Sequence, residues 1–248
     1  MKFCFIGTGH GSATATHMSS VTWFESCGKS YLVDCADGAD AAMLKKGISP
    51  SQLSAVFITH LHLDHTGGLP VVLKRLFKED GEKINVILPN AAAGKSINEW
   101  MIWNGFAKRF ETTPDAINYS NSREGFNDGN EEVAAFQTEH LTEPERPSYA
   151  YTIKTEGKKI SFTGDLRGDC ADFPLEALQD SDLVISELTH FRLHHIFPFL
   201  EQLRTKALIF NHIGNWSQVP EEQQRILEKC KELPYPVMIA HDGMEFEL

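Results

Sequence analysis

The sequence predicts an α/β fold in one domain spanning residues 1–248, and three observations carry that prediction. Short apolar runs rich in Val, Ile and Phe recur along the chain and alternate with helical patterns, as in domains that layer helices on sheets. A cluster of His and Asp residues directly follows one of these runs, at the carboxyl end of a predicted strand, where α/β sheets bind ligands. No linker or composition break divides the 248 residues, and α/β folds of this length often stay undivided.

Residues 2–7 read as the first strand, and 21–25 with 31–34 as a hairpin about Cys27, Gly28 and Lys29. A helix over 39–46 stops at Gly47, and Ser49 and Pro50 open a short turn with Pro at the first helical position. Residues 55–58 (Ala-Val-Phe-Ile) form a buried strand. A helix follows over 69–77, then a buried strand over 84–88 closed by Pro89. Residues 91–110 are helical and carry Trp100, Trp103, Phe106 and Phe110; packing on the sheet is the favoured reading, a cover over the ligand cleft the other. Residues 111–130 are polar and turn-rich, with a strand near Ile117. In the second half, a strand over 132–138 ends near His140, and 149–154 with 159–162 form a hairpin about Glu156, Gly157 and Lys158. Buried strands at 183–186 and 207–210, a helix over 220–233 and strands at 237–240 and 245–248 complete the chain.

Hydrophobic residues make up 42% of the chain, too many for a disordered protein. Acidic residues outnumber basic ones 34 to 23, for a net charge of −11, and no dense Lys/Arg cluster is present. A protein that grips long nucleic acid usually carries a basic face, so a small molecule or short nucleotide is the expected partner. No apolar run approaches the ~20 residues that span a bilayer, so no membrane partner is expected. The opening apolar residues run into Gly7 too early for a signal-peptide core. Five scattered cysteines, with no Cys-x-x-Cys pair, suit a reducing cytoplasm. Cys35, near the His-rich motif, reads as a small core residue.

The most informative segment is Thr59-His60-Leu61-His62-Leu63-Asp64-His65-Thr66-Gly67-Gly68. Imidazole suits zinc, iron and manganese, and a carboxylate adds a hard oxygen. His60 and His62 can grip one ion; Asp64 and His65, a turn further on, face the other way and can grip a second. The glycine-rich first loop, with His10 and His17, lacks the spacing and the Lys-Ser/Thr pair of a phosphate-binding loop, and its histidines read as solvated.

The His-x-His-x-Asp-His run after an apolar strand resembles the signature of the metallo-β-lactamase fold superfamily. Phe5-Ile6-Gly7-Thr8-Gly9 and Tyr31-Leu32-Val33-Asp34-Cys35-Ala36-Asp37-Gly38 before it, and Gly67-Gly68-Leu69-Pro70 after it, extend the resemblance to the branch of ribonuclease Z and related phosphodiesterases. The order of elements and this resemblance jointly imply an αββα sandwich, two mixed sheets with helices on their outer sides. The resemblance implies that His60, His62 and His140 hold a first metal ion and Asp64 and His65 a second, with Asp165 bridging both. A carboxylate has two oxygens and can hold two cations ~3.5–4 Å apart. His212 and His241 both end apolar strands and compete for the last ligand position. Residues 240–248 resemble the closing strand that follows this ligand in the branch, which favours His212, with His241 lining the site. Glu187 matches an acid that in the branch works with a histidine to assist the departing group; His190 lies much closer to that acid than the branch's pattern. Asp64, Glu187 and His190 are therefore the catalytic candidates, while His194 and His195 read as surface residues of a loop.

The expected activity is hydrolysis of a phosphodiester, in a small nucleotide or cyclic nucleotide, through a hydroxide bridging two divalent ions, zinc foremost and manganese or iron as alternatives. Ribonuclease Z carries a protruding arm between its third and fourth metal motifs. Here only 24 residues separate His140 from Asp165, most of them spent on a hairpin, which disfavours transfer-RNA processing. A lactonase or thioesterase using the same hydroxide is the rival enzyme. A metal-dependent sensor or binding protein is the rival outside catalysis, and it would show a lost ligand position. A homodimer is an allowed assembly.

Overall fold

The computed structural model describes residues 1–78 and 83–248. In chain order the strands and helices are β1 (Lys2–Gly7), β2 (Val21–Ser26), β3 (Lys29–Val33), α1 (Ala39–Lys45), β4 (Leu53–Phe57), α2 (Leu63–Thr66), α3 (Leu69–Lys78), β5 (Ile84–Leu88), α4 (Ala93–Met101), α5 (Ala107–Thr112) and β6 (Ile117–Asn121). Then follow β7 (Phe126–Asn127), β8 (Glu132–Thr138), β9 (Ser148–Thr155), β10 (Lys158–Phe162), α6 (Leu175–Leu178), β11 (Leu183–Leu188), α7 (Leu193–Leu200), β12 (Leu208–Ile213), α8 (Pro220–Cys230), β13 (Val237–Ile239) and β14 (Met244–Glu247).

These strands form two mixed seven-stranded sheets, ordered β14-β1-β2-β3-β4-β5-β6 and β13-β12-β11-β10-β9-β8-β7. In each sheet an antiparallel half adjoins a parallel half, β3 to β6 in the first and β10 to β13 in the second. The sheets face each other across an aromatic core that includes Phe3, Phe24, Tyr31, Phe57 and Tyr151. Helices α1 and α3 cover the outer face of the first sheet through Met43, Leu69, Val72 and Leu76. Helices α7 and α8 cover the second through Ile196, Phe197, Leu200 and Ile226. The result is the four-layer αββα sandwich predicted above. Among the described residues no helix is long and apolar enough to cross a membrane.

The structure departs from the sequence reading at three places. The helix expected over 91–110 is interrupted by a π-helical turn at Ile102–Phe106, within which Gly105 adopts φ +92°. Met101, Ile97, Phe106 and Phe110 pack on the first sheet's outer core, but Trp100 and Trp103 face solvent, 61% and 86% exposed. His194 and His195 belong to helix α7 rather than to a loop. The Pro at 198 and the paired histidines obscure that helix in the sequence, yet burial of Ile196, Phe197 and Leu200 outweighs the local cost of Pro. The strand expected to stop at residue 210 continues through Ile213 with a bulge, so His212 lies within β12 and not beyond it.

Candidate metal centre

The His-rich motif leaves β4 at the sheet edge and winds into α2. Parallel pairing of β3 with β4 sets the end of β3 beside its start. At that position Asp34, with φ +60°, turns its carboxylate inward, a left-handed conformation that Asp tolerates better than most residues. Its Oδ1 accepts from the Thr59 backbone N–H at 2.8 Å and its Oδ2 from His65 Nδ1 at 2.7 Å. With Nδ1 so engaged, His65 presents Nε2 to the cluster, the arrangement in which a carboxylate orients a metal-binding imidazole. In the sequence Asp34 stands out only as part of the segment 31–38 that resembles the ribonuclease Z branch. Its role is invisible without the β3–β4 pairing.

Two groups of side chains converge around Asp165. His60, His62 and His140 form the first, with each offering a nitrogen within 4.8 Å of the others. His60 Nε2 lies 3.0 Å from His62 Nδ1, and His140 Nε2 lies 3.4 Å from the same atom. Asp64, His65 and His212 form the second: His65 Nε2 is 3.2 Å from His212 Nε2 and 3.3 Å from Asp64 Oδ2. Asp165 Oδ2 lies 3.6, 3.5 and 3.7 Å from the Nε2 atoms of His60, His65 and His140, while its Oδ1 lies 3.7 Å from His212 Nδ1. Ligands bonded tetrahedrally at 2.0–2.1 Å are about 3.3 Å apart, so these separations, apart from that to His212 Nδ1, whose Nε2 is the atom facing His65 and Asp64, fit donors arranged around a cation.

The electrostatics agree with that fit. Asp34 and Asp165 are buried, 3% and 2% exposed, and Asp64 is half-buried. Burial alone would raise the carboxyls of Asp165 and Asp64, but neighbouring imidazoles, His212 and His65 foremost, hold both well below the usual carboxylate range. His60 is pushed down to about 2 by burial and by the nearby His65. His140 is lowered chiefly by burial. His65 goes the other way: burial would lower it, but Asp34 and Asp165 raise it, and a cation at Nε2 would take the place of its proton. A buried set of anions beside neutral imidazole nitrogens is what a divalent ion satisfies.

On the rim stands a second histidine–carboxylate pair. Glu187 is buried at the end of β11 and accepts from the backbone N–H groups of Leu166, Thr189 and His190 at 2.7, 3.0 and 3.0 Å. His190 Nδ1 donates to its carboxylate at 2.9 Å. Burial would lower the His190 imidazole, but Glu187 raises it to about 9. The other ring nitrogen, Nε2, lies 3.8 Å from Asp165 Oδ2. The short spacing from Glu187 to His190 thus closes a turn, which its departure from the branch's pattern did not suggest.

His241 is exposed, with Nδ1 3.2 Å from the Asp242 carbonyl, and is in none of these groups. Its neighbour Asp242 instead ties down the first loop, accepting from Thr8 N–H, Thr8 Oγ1 and Met18 N–H at 2.9, 2.7 and 2.7 Å. That loop runs past the cluster: a Cβ on Gly11 would stand 3.4 Å from Asp64 Oδ2. His10 donates to Asn215 Oδ1 at 2.9 Å from the same loop, and His17 contacts Thr16 Oγ1.

Comparison with known proteins adds three findings. A family model described as anti-Pycsar protein Apyc1 matches residues 1–228. Ribonuclease Z from an Exiguobacterium species is 39% identical over 33% of this chain and 27% of its own length. The chain thus aligns with well under half of that relative, although ribonuclease Z from Archaeoglobus fulgidus aligns over 100% of this chain and 97% of its own at 22% identity. Among solved structures, the metallo-β-lactamase fold protein YhfI from Bacillus subtilis superposes with a TM-score of 0.79 at 18% identity, covering 100% of this chain and 99% of that one.

Proposed function

This chain belongs to the Apyc1 family of anti-Pycsar proteins, on the ribonuclease Z and phosphodiesterase side of the metallo-β-lactamase fold superfamily, and on that footing we propose that it is a metal-dependent phosphodiesterase acting on a small nucleotide, a cyclic nucleotide foremost. The observation that carries the reading is the pair of ligand groups sharing Asp165, with a His–Glu pair on the rim. In this reading residues 1–248 act as one hydrolase domain. His60, His62 and His140 would hold one divalent ion and Asp64, His65 and His212 the other, with Asp165 beside both groups. The nitrogen-rich donor set suits zinc, with manganese or iron as second choices. Two such ions, when bound, supply a water nucleophile ionised near neutral pH and neutralise charge on the phosphate.

The chain's own residues do the rest. Asp34 fixes the ring of His65. Asp64 has two carboxylate oxygens, so one can hold the ion while the other accepts a proton from the nucleophile. Glu187, anchored by three backbone donors, is a positioning residue that holds His190 at Nδ1 and leaves Nε2 free to pass a proton to the departing oxygen. The net charge of −11 supports a small substrate, as does the stretch between His140 and Asp165, which is taken up by the β9–β10 hairpin and leaves no arm for a long RNA.

Protein reconstituted with Zn²⁺ or Mn²⁺ should contain close to two ions per chain. It should hydrolyse cyclic nucleotides and bis(p-nitrophenyl) phosphate faster than a simple lactone, a thioester or a precursor transfer RNA. Full activity with one ion would remove the dinuclear reading, and preference for the lactone or thioester would remove the phosphodiesterase one.

His190→Ala should slow turnover of a cyclic nucleotide by about 10²–10⁴-fold, the usual worth of a positioned general acid. It should barely affect a p-nitrophenyl ester, whose leaving group departs without a proton. An equal loss on both substrates would show that His190 has a different role.

A further inference from the structure

Beneath the candidate metal centre, between the two sheets, lies a small cavity with about 30 Å³ open to the centre of a water molecule. A buried water needs roughly 10–15 Å³ by the same measure and two to four polar partners. Thr22 of the first sheet and Thr163, Ser186, Asn211 and His212 of the second all line the space. Two of its polar atoms have no hydrogen-bond partner, Asn211 Oδ1 and His212 Nδ1. Both residues are more than nine-tenths buried, 5% and 4% exposed. Asp165 Oδ1 stands 3.7 Å from His212 Nδ1, beyond hydrogen-bonding distance.

A bulge explains why two successive residues of one strand reach the same cavity. Along β11 and β12, Glu187 pairs with Asn211 and Leu188 with Ile213, so His212 is the extra residue. Its φ of +48° is unusual for a side chain of this size. Bulges re-aim side chains in this way near functional sites. His212 Nε2 points at His65 Nε2 and Asp64 Oδ2, 3.2 and 3.4 Å away. With Nε2 as the ligand atom, the proton of a neutral ring is on Nδ1, facing the cavity. His65 delivers its corresponding proton straight to Asp34, and His212 has no such carboxylate within reach.

We propose that a water molecule bound in this cavity accepts the His212 Nδ1–H and donates to Asn211 Oδ1, making Asn211 the residue that positions the last metal ligand. Thr22 Oγ1, 3.3 Å from Asn211 Nδ2, can donate as well as accept, so the amide keeps one polar atom on the cavity in either orientation. Asp34, Asp165 and Glu187 also line the cavity, but the two atoms left without partners are one donor and one acceptor, the pair that a water molecule joins. This inference rests on the dinuclear reading of the cluster.

The test compares Asn211→Leu, which removes the polar partner at similar volume, with Asn211→Asp, which keeps an acceptor. Zn²⁺ affinity is measured by chelator competition, beside a high-resolution crystal structure of the zinc-loaded wild-type protein. Density for a water about 2.7–3.2 Å from both atoms is expected. Asn211→Leu should weaken one of the two ions by about 10–100-fold and leave the other, the usual effect of losing a partner of a metal-bound histidine. Asn211→Asp should recover most of that loss. Two wild-type affinities in Asn211→Leu, or a cavity without ordered water, would overturn the proposal while leaving the metal assignment standing. A wild-type protein with no ion at the Asp64 group would overturn both.

Discussion

Asp165→Ala is expected to abolish turnover and to release both metal ions. Its carboxylate lies 3.5–3.7 Å from nitrogens of four histidines: His60 just after β4, His65 in α2, His140 just after β8 and His212 at the β12 bulge. It is the carboxylate that lies beside members of both ligand groups, His60 and His140 of the first and His65 of the second. Losing it separates the two groups electrostatically and leaves several imidazoles facing each other around a gap. Removing one preorganised charged contact from a closed site typically costs about 10²–10³-fold in rate, and here the metal is expected to leave as well, so the loss should exceed about 10³-fold. Elemental analysis and turnover of a cyclic nucleotide read the two effects separately. A variant that keeps both ions would show that Asp165 lines the site without joining its halves.

Gly68→Ala should damage the fold more than any other single methyl addition near the motif. A Cβ at this position would stand 2.0 Å from the Ala36 carbonyl oxygen and 2.9 Å from its carbon. Both are backbone atoms of a fully buried segment, so no flexible side chain can give way. Gly68 N–H donates to Cys35 O at 2.9 Å and Cys35 N–H to His65 O at 2.8 Å, which clamps the motif's exit onto the chain after β3. Forcing the two apart tilts α3 off the first sheet and disturbs the Asp34–His65 contact. Overpacking of this kind costs about 3 kcal/mol or more. For a domain of this size that corresponds to a drop in Tm of about 6–12 °C. Calorimetry of the metal-free protein checks it, since metal loss then cannot be mistaken for unfolding. A variant melting within about 1 °C of wild type would mean that the backbone yields here at little cost.

Side chains clustered in one stretch were the easiest to assign. His60, His62, Asp64 and His65 leave the end of β4 together, and the local run of an apolar strand into a polar turn is enough to bring them to one edge. The two-sheet architecture was legible from the order of the apolar runs taken together with the resemblance to the metallo-β-lactamase fold superfamily. Elements whose signals conflict were harder. Helix α7 carries a Pro and two histidines, and only the surface it buries on the second sheet declares it. The break at Gly105 likewise follows from how 93–112 wraps the first sheet, leaving Trp100 and Trp103 outside.

The chain alone thus determined which residue types could hold a metal and at which strand ends they lie, because ligand chemistry and strand periodicity are both local properties. Only the tertiary structure decided between His212 and His241 as the residue brought to the cluster, since that depends on a bulge in β12 and on which strand lies next to which. The same holds for Asp34, 31 residues before the His65 ring that it orients, and for Asn211, whose side chain meets Thr22 of the opposite sheet. Such contacts are set by strand order and by the packing of one sheet on another, and no window of sequence contains either.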